Sequence, residues 1–493
     1  RNNIAEVLYA GIELTNATNS TVQYNTISAR VTNNAGQQTD PGDSGVGIEI
    51  ATRDQAGIGV TSGNTLVDSN VITGVLFERA GINLLSRAYA GTSNAVLENV
   101  TVSNNTVSGS TGRGGIVVVA EERNSATNAS FTSLAINSNT LTGNTTGLSI
   151  GILGAPYDNA TGVDGSYGTP SVSGNTLTTN TTGVQIVGGN ALVSQSTITG
   201  GTTGINASGG TATVQNSFIN SNTTGIAASS DANVTVTGSD LSGNTGDALT
   251  NASSGTINAS GNWWGSNTST GVAAEIAGAN ASAVDFTPYL NSGTDTASGT
   301  IGFQGDLSSV TVHTLGNQTG GSGRIQEGID LSTGTSTVNV VAGTYNETVT
   351  INRNNLTLTG DPGATGATSN DAGPGSSAPV LDGTGLGNTS AIFLGAVSNV
   401  TIAGFEIANY DNGAPGPGGT GGVGSGIQSF DVATNNITVR DNYFHDLGWN
   451  GVLVASDNGT LQNNWAVIRN NIAEVLYAGI ELTNATNSTV QYN

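Results

Sequence analysis

Two groups of side chains have the residue types that acid–base or ionic chemistry needs. The first lies in RDNYFHDLGWNG, which gathers Arg440, Asp441, His445, Asp446 and Trp449 in one short segment. Carboxylates flanking a histidine can hold and pass a proton, and their spacing suits an inverting glycosidase. A neighbouring indole offers a flat face to a sugar ring. The competing reading is structural. Asn442-Tyr-Phe falls at a recurring strand position, which turns Tyr443 or Phe444 inward and leaves Asp446 in a turn. Asp441, His445 and Asp446 stand as catalytic candidates against that reading.

The second group follows from spacing. Arg53, Arg87 and Glu121 each stand six residues after a glycine, Gly47, Gly81 and Gly115, with Asp54, Glu122 and Arg123 adjacent. Equal offsets predict a stack on successive layers, where the two guanidiniums crowd each other unless an acid intercalates, and Asp54 and Glu122 are at hand. Such a column is either a charge ladder that braces nearby loops or a groove for an anionic glycan or a neighbouring copy. Arg53, Arg87, Glu121, Glu122 and Arg123 are therefore the binding candidates.

Both groups depend on the elements beneath them, and those are periodic. Gly–apolar–x–apolar recurs at Gly183, Gly204 and Gly225, and a small polar–x–apolar element recurs at Asn175, Ser196, Ser217, Ser239 and Asn262. Steps of about 21 residues, each holding two or three short strands and as many turns, describe one coil of a parallel β-helix. Upstream the column passes through Gly11, Gly47, Gly81, Gly115 and Gly147, and its wider steps imply a coil plus a loop. The loops at 31–45, 88–97, 123–133 and 151–170 are the expected contact surface. Asn144, Asn180 and Asn222 open the recurring tetrapeptide NTTG. It reads first as a turn, since Asn and Gly tolerate left-handed backbone and stacked amides can bond up the column. The same asparagines begin Asn-x-Thr sequons, of which the chain has roughly two dozen, so in a secreted protein they are also glycosylation candidates.

Composition narrows the function. The 493 residues carry 34 acids and 11 bases, all arginine, for a net charge of −23. That balance argues against nucleic acid and anionic lipid as partners. Without Cys there are no disulfides, thiolate metal sites or Cys nucleophiles. No apolar run is long enough for membrane insertion. No cofactor is expected; calcium is left open, with no motif that calls for it.

Residues 303–360 contain GRIQEGIDL followed by STVNVVAGTYNETVTI, and Ile325 and Ile329 fall four apart on one helical face. With GNWWGSN at 261–267 and VDFTPYL at 284–290, this resembles the capped first coil and the closing coil of right-handed parallel β-helix proteins of the pectate-lyase-like and NosD-like type. The resemblance implies an all-β right-handed solenoid with a short N-terminal cap helix. It also raises polysaccharide chemistry, but the four galacturonan-hydrolase motifs (Asn-Thr-Asp, Asp-Asp, Gly-His-Gly and Arg-Ile-Lys) are missing; Arg324-Ile325-Gln326 is the nearest miss. The chain also departs from the pectate-lyase pattern, having no Lys and only scattered acids.

The closing elements precede the capping ones in this numbering, and Arg1–Asn25 recurs letter for letter as Arg469–Asn493. The expected organisation is a frame permuted across a tandem-repeat junction. Residues 1–290 are the later coils of one unit, 291–302 a junction, and 303–493 the cap helix and early coils of the next. The function expected is a structural subunit of an extracellular or cell-surface filament, fibre or sheath. Its partners would be copies of itself, end to end and laterally, and possible glycans. An adhesin stalk that binds glycans or surfaces through its loops, and a polysaccharide lyase or hydrolase, are the alternatives.

Overall fold

A short strand such as Thr176–Thr178 can bury only its middle residue, because side chains alternate across the pleat. Leu177 points inward between two exposed-side threonines, and the chain then turns at Asn180 into Thr182–Ile186 and again into Asn190–Ser194. The next coil repeats this path one layer on. Leu177 pairs with Ile198, Val184 with Ile205 and Val193 with Val214, all in parallel. Three parallel sheets result, and the core is the column of aliphatic residues they enclose.

The computed structural model describes residues 2–7, 10–29, 45–54, 58–74, 80–89, 94–122, 128–151, 163–362, 373–387, 389–410 and 424–493. They form two compact units, residues 1–284 with 293–305, and residues 285–292 with 306–493. Each is a stack of such coils.

Unit 1 is held by two polar columns as well as by its core. Asn25, Asn70, Asn105, Asn139 and Asn175 are buried, and the last four each accept at Oδ1 from the backbone amide of the asparagine one coil before. Serines 196, 217 and 239 continue the column through their hydroxyls, at 3.2–3.3 Å. This satisfies backbone groups that the bend would otherwise leave unpaired inside. The expected glycine column is present and has a steric cause. A Cβ on Gly47 would meet the Gly81 carbonyl oxygen at 2.4 Å, and one on Gly183 would meet that of Gly204 at 2.5 Å. Successive backbones approach too closely at these positions for a side chain.

Unit 2 opens with Tyr289–Leu290 pairing antiparallel to Ser309–Val312, so the expected exit strand packs in the unit that the cap helix begins. The helix, Arg324–Leu331, buries Ile325 and Ile329 as their spacing predicts. Its N-terminal amides are capped from a distance: the Glu347 carboxylate accepts from Ile325 N at 3.0 Å and Gln326 N at 3.1 Å. Coils follow from Ser336–Val340 to Thr489–Gln491, again in three parallel sheets.

Candidate functional site

Tyr443–His445 lies between Glu406–Ala408 and Asn471–Ile472 in one sheet of unit 2. Alternation buries Phe444 completely, so Tyr443 and His445 face outward, stacked at 4.4 Å. His445 Nδ1 is 2.7 Å from Asp446 Oδ2, and Nε2 is 3.1 Å from Glu406 Oε1. Burial opposes the charged ring, but the bonds to Asp446 and Glu406 outweigh it and raise its pKa. Bonds from His445 and Glu474 hold Asp446 below the usual carboxylate range. Asp446 sits in left-handed backbone, as its expected place in a turn requires. One turn further on, Trp449 stacks on Tyr477 at 4.5 Å, almost parallel.

Asp441 does not join this cluster. It is fully buried, and its carboxylate accepts from Arg440 Nη1 at 2.6 Å and from Arg469 Nε and Nη2 at 2.8 Å each. It is a corner anchor, so the three catalytic candidates divide into an ion-paired histidine cluster and a buried structural acid. With both ring nitrogens of His445 engaged by carboxylates, the cluster is better suited to clamping three coils than to taking a proton from a substrate.

In unit 1 the charged column forms as the offsets predict. Arg53 pairs with Arg87 and Arg87 with Glu121 in register along one sheet. Arg87 Nε lies 2.5 Å from Glu121 Oε2, both groups being buried, and the Tyr89 hydroxyl is 3.0 Å from Arg87 Nη1. Arg53 bonds Glu49 and approaches Glu13 at 3.7 Å. Asp54 accepts from Tyr89 N, and Glu122 from Ala129 N. Each guanidinium has an acid partner, and these include Glu49 and Glu13, which the six-residue offset passed over. Their positions two residues after Gly47 and Gly11 were the available signal. Arg123 lies outside the described residues. So does most of the loop sequence expected to carry contacts: 31–44, 90–93, 123–127 and 152–162. Beside them, Val163–Asp164 pairs antiparallel with Glu121–Glu122, and Tyr167 stacks on Phe131 at 6.1 Å.

Asn144, Asn180 and Asn222 are at most 2% exposed. Asn144 Nδ2 donates to Asn180 Oδ1 and Val107 O, Asn180 Nδ2 to Leu141 O, and Asn222 Nδ2 to Ile198 O. Their amides belong to a second polar column and leave no accessible nitrogen for a glycan. The turn reading holds at all three and corrects the sequon reading.

Sequence reasoning missed a buried titratable group beneath the cap helix. His313 is 1% exposed and packed 4.5 Å from the Phe286 ring and 5.6 Å from Tyr289. Leu315 N donates to its Nδ1, which places the proton of the neutral ring on Nε2. Burial, and then the Arg324 guanidinium, push its pKa down to about 4. Asp285 takes bonds from Thr319 N at 2.6 Å and Oγ1 at 2.7 Å, and burial raises its pKa. Among the described residues no group of three or more His, Asp or Glu side chains is arranged to hold a metal, and no helix is long and apolar enough to cross a membrane.

These features define a right-handed parallel β-helix repeat protein. The family model described as a right-handed beta helix region matches residues 160–287, the part with the most regular 21-residue coils. No curated protein matches. Among solved structures, a mutant of the PL6-family alginate lyase AlyGC is similar at 10% identity, covering 99% of this chain and 78% of that one with a TM-score of 0.18. So low a score lends no support to a shared activity.

Proposed function

We propose that the chain is a structural subunit of an extracellular or cell-surface filament, fibre or sheath, built from tandem β-helix repeats 468 residues apart. One observation carries this. The repeated 25 residues are neither linker nor cap but a coil, and both copies close it with the same side-chain bond: Asn2 Nδ2 to Asn25 Oδ1 at 3.0 Å, and Asn470 Nδ2 to Asn493 Oδ1 at 2.9 Å. Units of one kind joined head to tail give open filaments. The deployment of polar groups agrees, since the Asn ladders and the Arg87–Glu121 pair are consumed inside the solenoid. The partners are copies of the same chain, with glycans at the loops as the adhesin alternative.

The test is the mass of the native protein in denaturant, followed by electron microscopy of the undenatured sample. A covalent mass several times the 49.0 kDa of these residues, together with unbranched filaments, is the expected result. A 49 kDa species that stays monomeric at high concentration defeats the proposal. Among the described residues, polysaccharide cleavage has its foothold in the Glu406–His445–Asp446 cluster beside the Trp449–Tyr477 stack. Turnover of a uronate polymer that His445→Ala abolishes would move the reading there.

A further inference from the structure

Among the described residues each copy of the repeated coil is strand-paired on one side only, and the two sides differ. In unit 1 it pairs with the coil that follows: Ile4 with Ile27, Ile12 with Ile48, and Val22 with Val67. In unit 2 it pairs with the coil that precedes: Ile472 with Phe444, Ile480 with Val452, and Val490 with Val467. Ile4 and Ile472 are the same position of the repeat, as are Ile12 and Ile480, and Val22 and Val490. The structure therefore records both neighbours of one coil, in two places.

We infer that this coil holds both neighbours at once. Strands Thr26–Ala29, Val46–Arg53 and Val60–Asp68 of a following repeat dock on 469–493 in the register they keep on 1–25, and the solenoid of unit 2 runs on without a break into a solenoid of the unit 1 kind. The inference deepens the tandem-repeat reading by naming the partner segment and its register.

Three details fit. The apolar column continues as Val452, Ile480 and Ile48, matched in size and branching. The polar column passes straight through: Asn442 Nδ2 donates to Asn470 Oδ1 at 3.1 Å, and Asn25 Nδ2 to Asn70 Oδ1 at 2.9 Å. The acid that would sit at the joint has a partner on each side. Asn450 Nδ2 donates to Glu481 Oε2 at 2.7 Å, whereas Arg53 Nη1 lies 3.7 Å from Oε1 of its counterpart Glu13. Exposure supplies the driving force. Val490 is 47% exposed, and Val22, the same residue with the following coil in place, is 5% exposed. An open strand edge above an uncovered apolar residue is a template for pairing.

Gly479 gives a test that leaves the fold of unit 2 alone. A Cβ there meets nothing nearer than Ile472 Cγ2 at 3.6 Å, whereas at Gly11 it meets the Gly47 carbonyl oxygen at 2.6 Å. Gly479→Ala is thus tolerated until those strands dock. The experiment appends a second 26–305 directly after residue 493 of the full chain. Hydrogen exchange at the Ile480 and Leu482 amides and thermal unfolding are then compared with the 493-residue chain, each with and without Gly479→Ala.

Expected are exchange at both amides slowed by about 100-fold on extension, as a frayed edge becomes interior, and a lowered melting temperature for Gly479→Ala in the extended chain only. An appended segment that stays unfolded, or that melts separately with those amides still open, overturns the joint, as does an equal effect of Gly479→Ala in both chains. Failure here is distinct from failure of the filament reading. A native protein of 49 kDa without filaments sinks that reading while a protected joint stands, and the reverse pattern sinks only the joint.

Discussion

At the scale of single residues, His313 is the group whose protonation the fold resists. An unfolded histidine titrates near 6.5 and His313 near 4, so folding favours the neutral ring. Its contribution is full above pH 6.5 and is lost as pH falls from there to 4, a loss of about 3 kcal/mol. Urea unfolding of the wild type and His313→Gln across this range should diverge, with the wild type losing that much more stability toward pH 4. Parallel curves would mean that the ring is solvated. The buried Arg87–Glu121 pair gives a second outcome. Removing one partner strands the other, so Glu121→Ala should cost about 3–5 kcal/mol, and Arg87→Met with Glu121→Leu should recover most of it. Denaturant midpoints of both variants decide. This pair was legible because its offsets from Gly81 and Gly115 are equal. The partners of His445 and Asp441 on other coils were not, since Glu406 lies 39 residues and Arg469 28 residues away along the chain. Contacts between coils of unequal length leave no fixed period to read.

At the scale of elements, the asparagine column and the cap helix carry the predictions. Asn139 Oδ1 accepts from both Asn105 N and Asn105 Nδ2. Asn139→Ala strands these buried donors and should cost about 2–3 kcal/mol. Asn139→Ser should cost less, because Ser196 and Ser217 already accept the same backbone bond elsewhere in the column. Thermal melts of the two variants measure the gap, and equal losses would deny the column its role. Glu347→Ala removes the cap of Arg324–Leu331, and about 1–2 kcal/mol of stability with it, read as a lower urea midpoint by circular dichroism. The helix itself was visible in the spacing of Ile325 and Ile329. Its cap was not, because Glu347 reaches the N-terminus from the following coil, 22 residues beyond Ile325. The ladder and glycine column were plain in the 21-residue steps, where strand and turn types repeat without insertions. The strand Val163–Asp164 was hidden by the wide step that contains it.

At the scale of the whole molecule, net charge governs how copies meet. With −23 on 493 residues, neighbouring copies repel at low ionic strength. The Debye length falls from about 30 Å at 0.01 M salt to about 8 Å at 0.15 M. Self-association measured by light scattering should therefore rise over that interval, and association that salt weakens would point instead to pairing between opposite charges.

The coil also sets how the material yields under tension. The regular coils of unit 1 from Asn175 to Ser217 are 21 residues apart at the polar column, and one layer advances about 4.8 Å along the axis. The same 21 residues pulled straight reach about 70 Å. A single coil peeled away under load thus lengthens its strand of material roughly fourteen-fold, while the layers beneath keep their hydrogen bonds. A chain stacked in this way stores slack, and it can give ground one layer at a time where a stiffer rod would break.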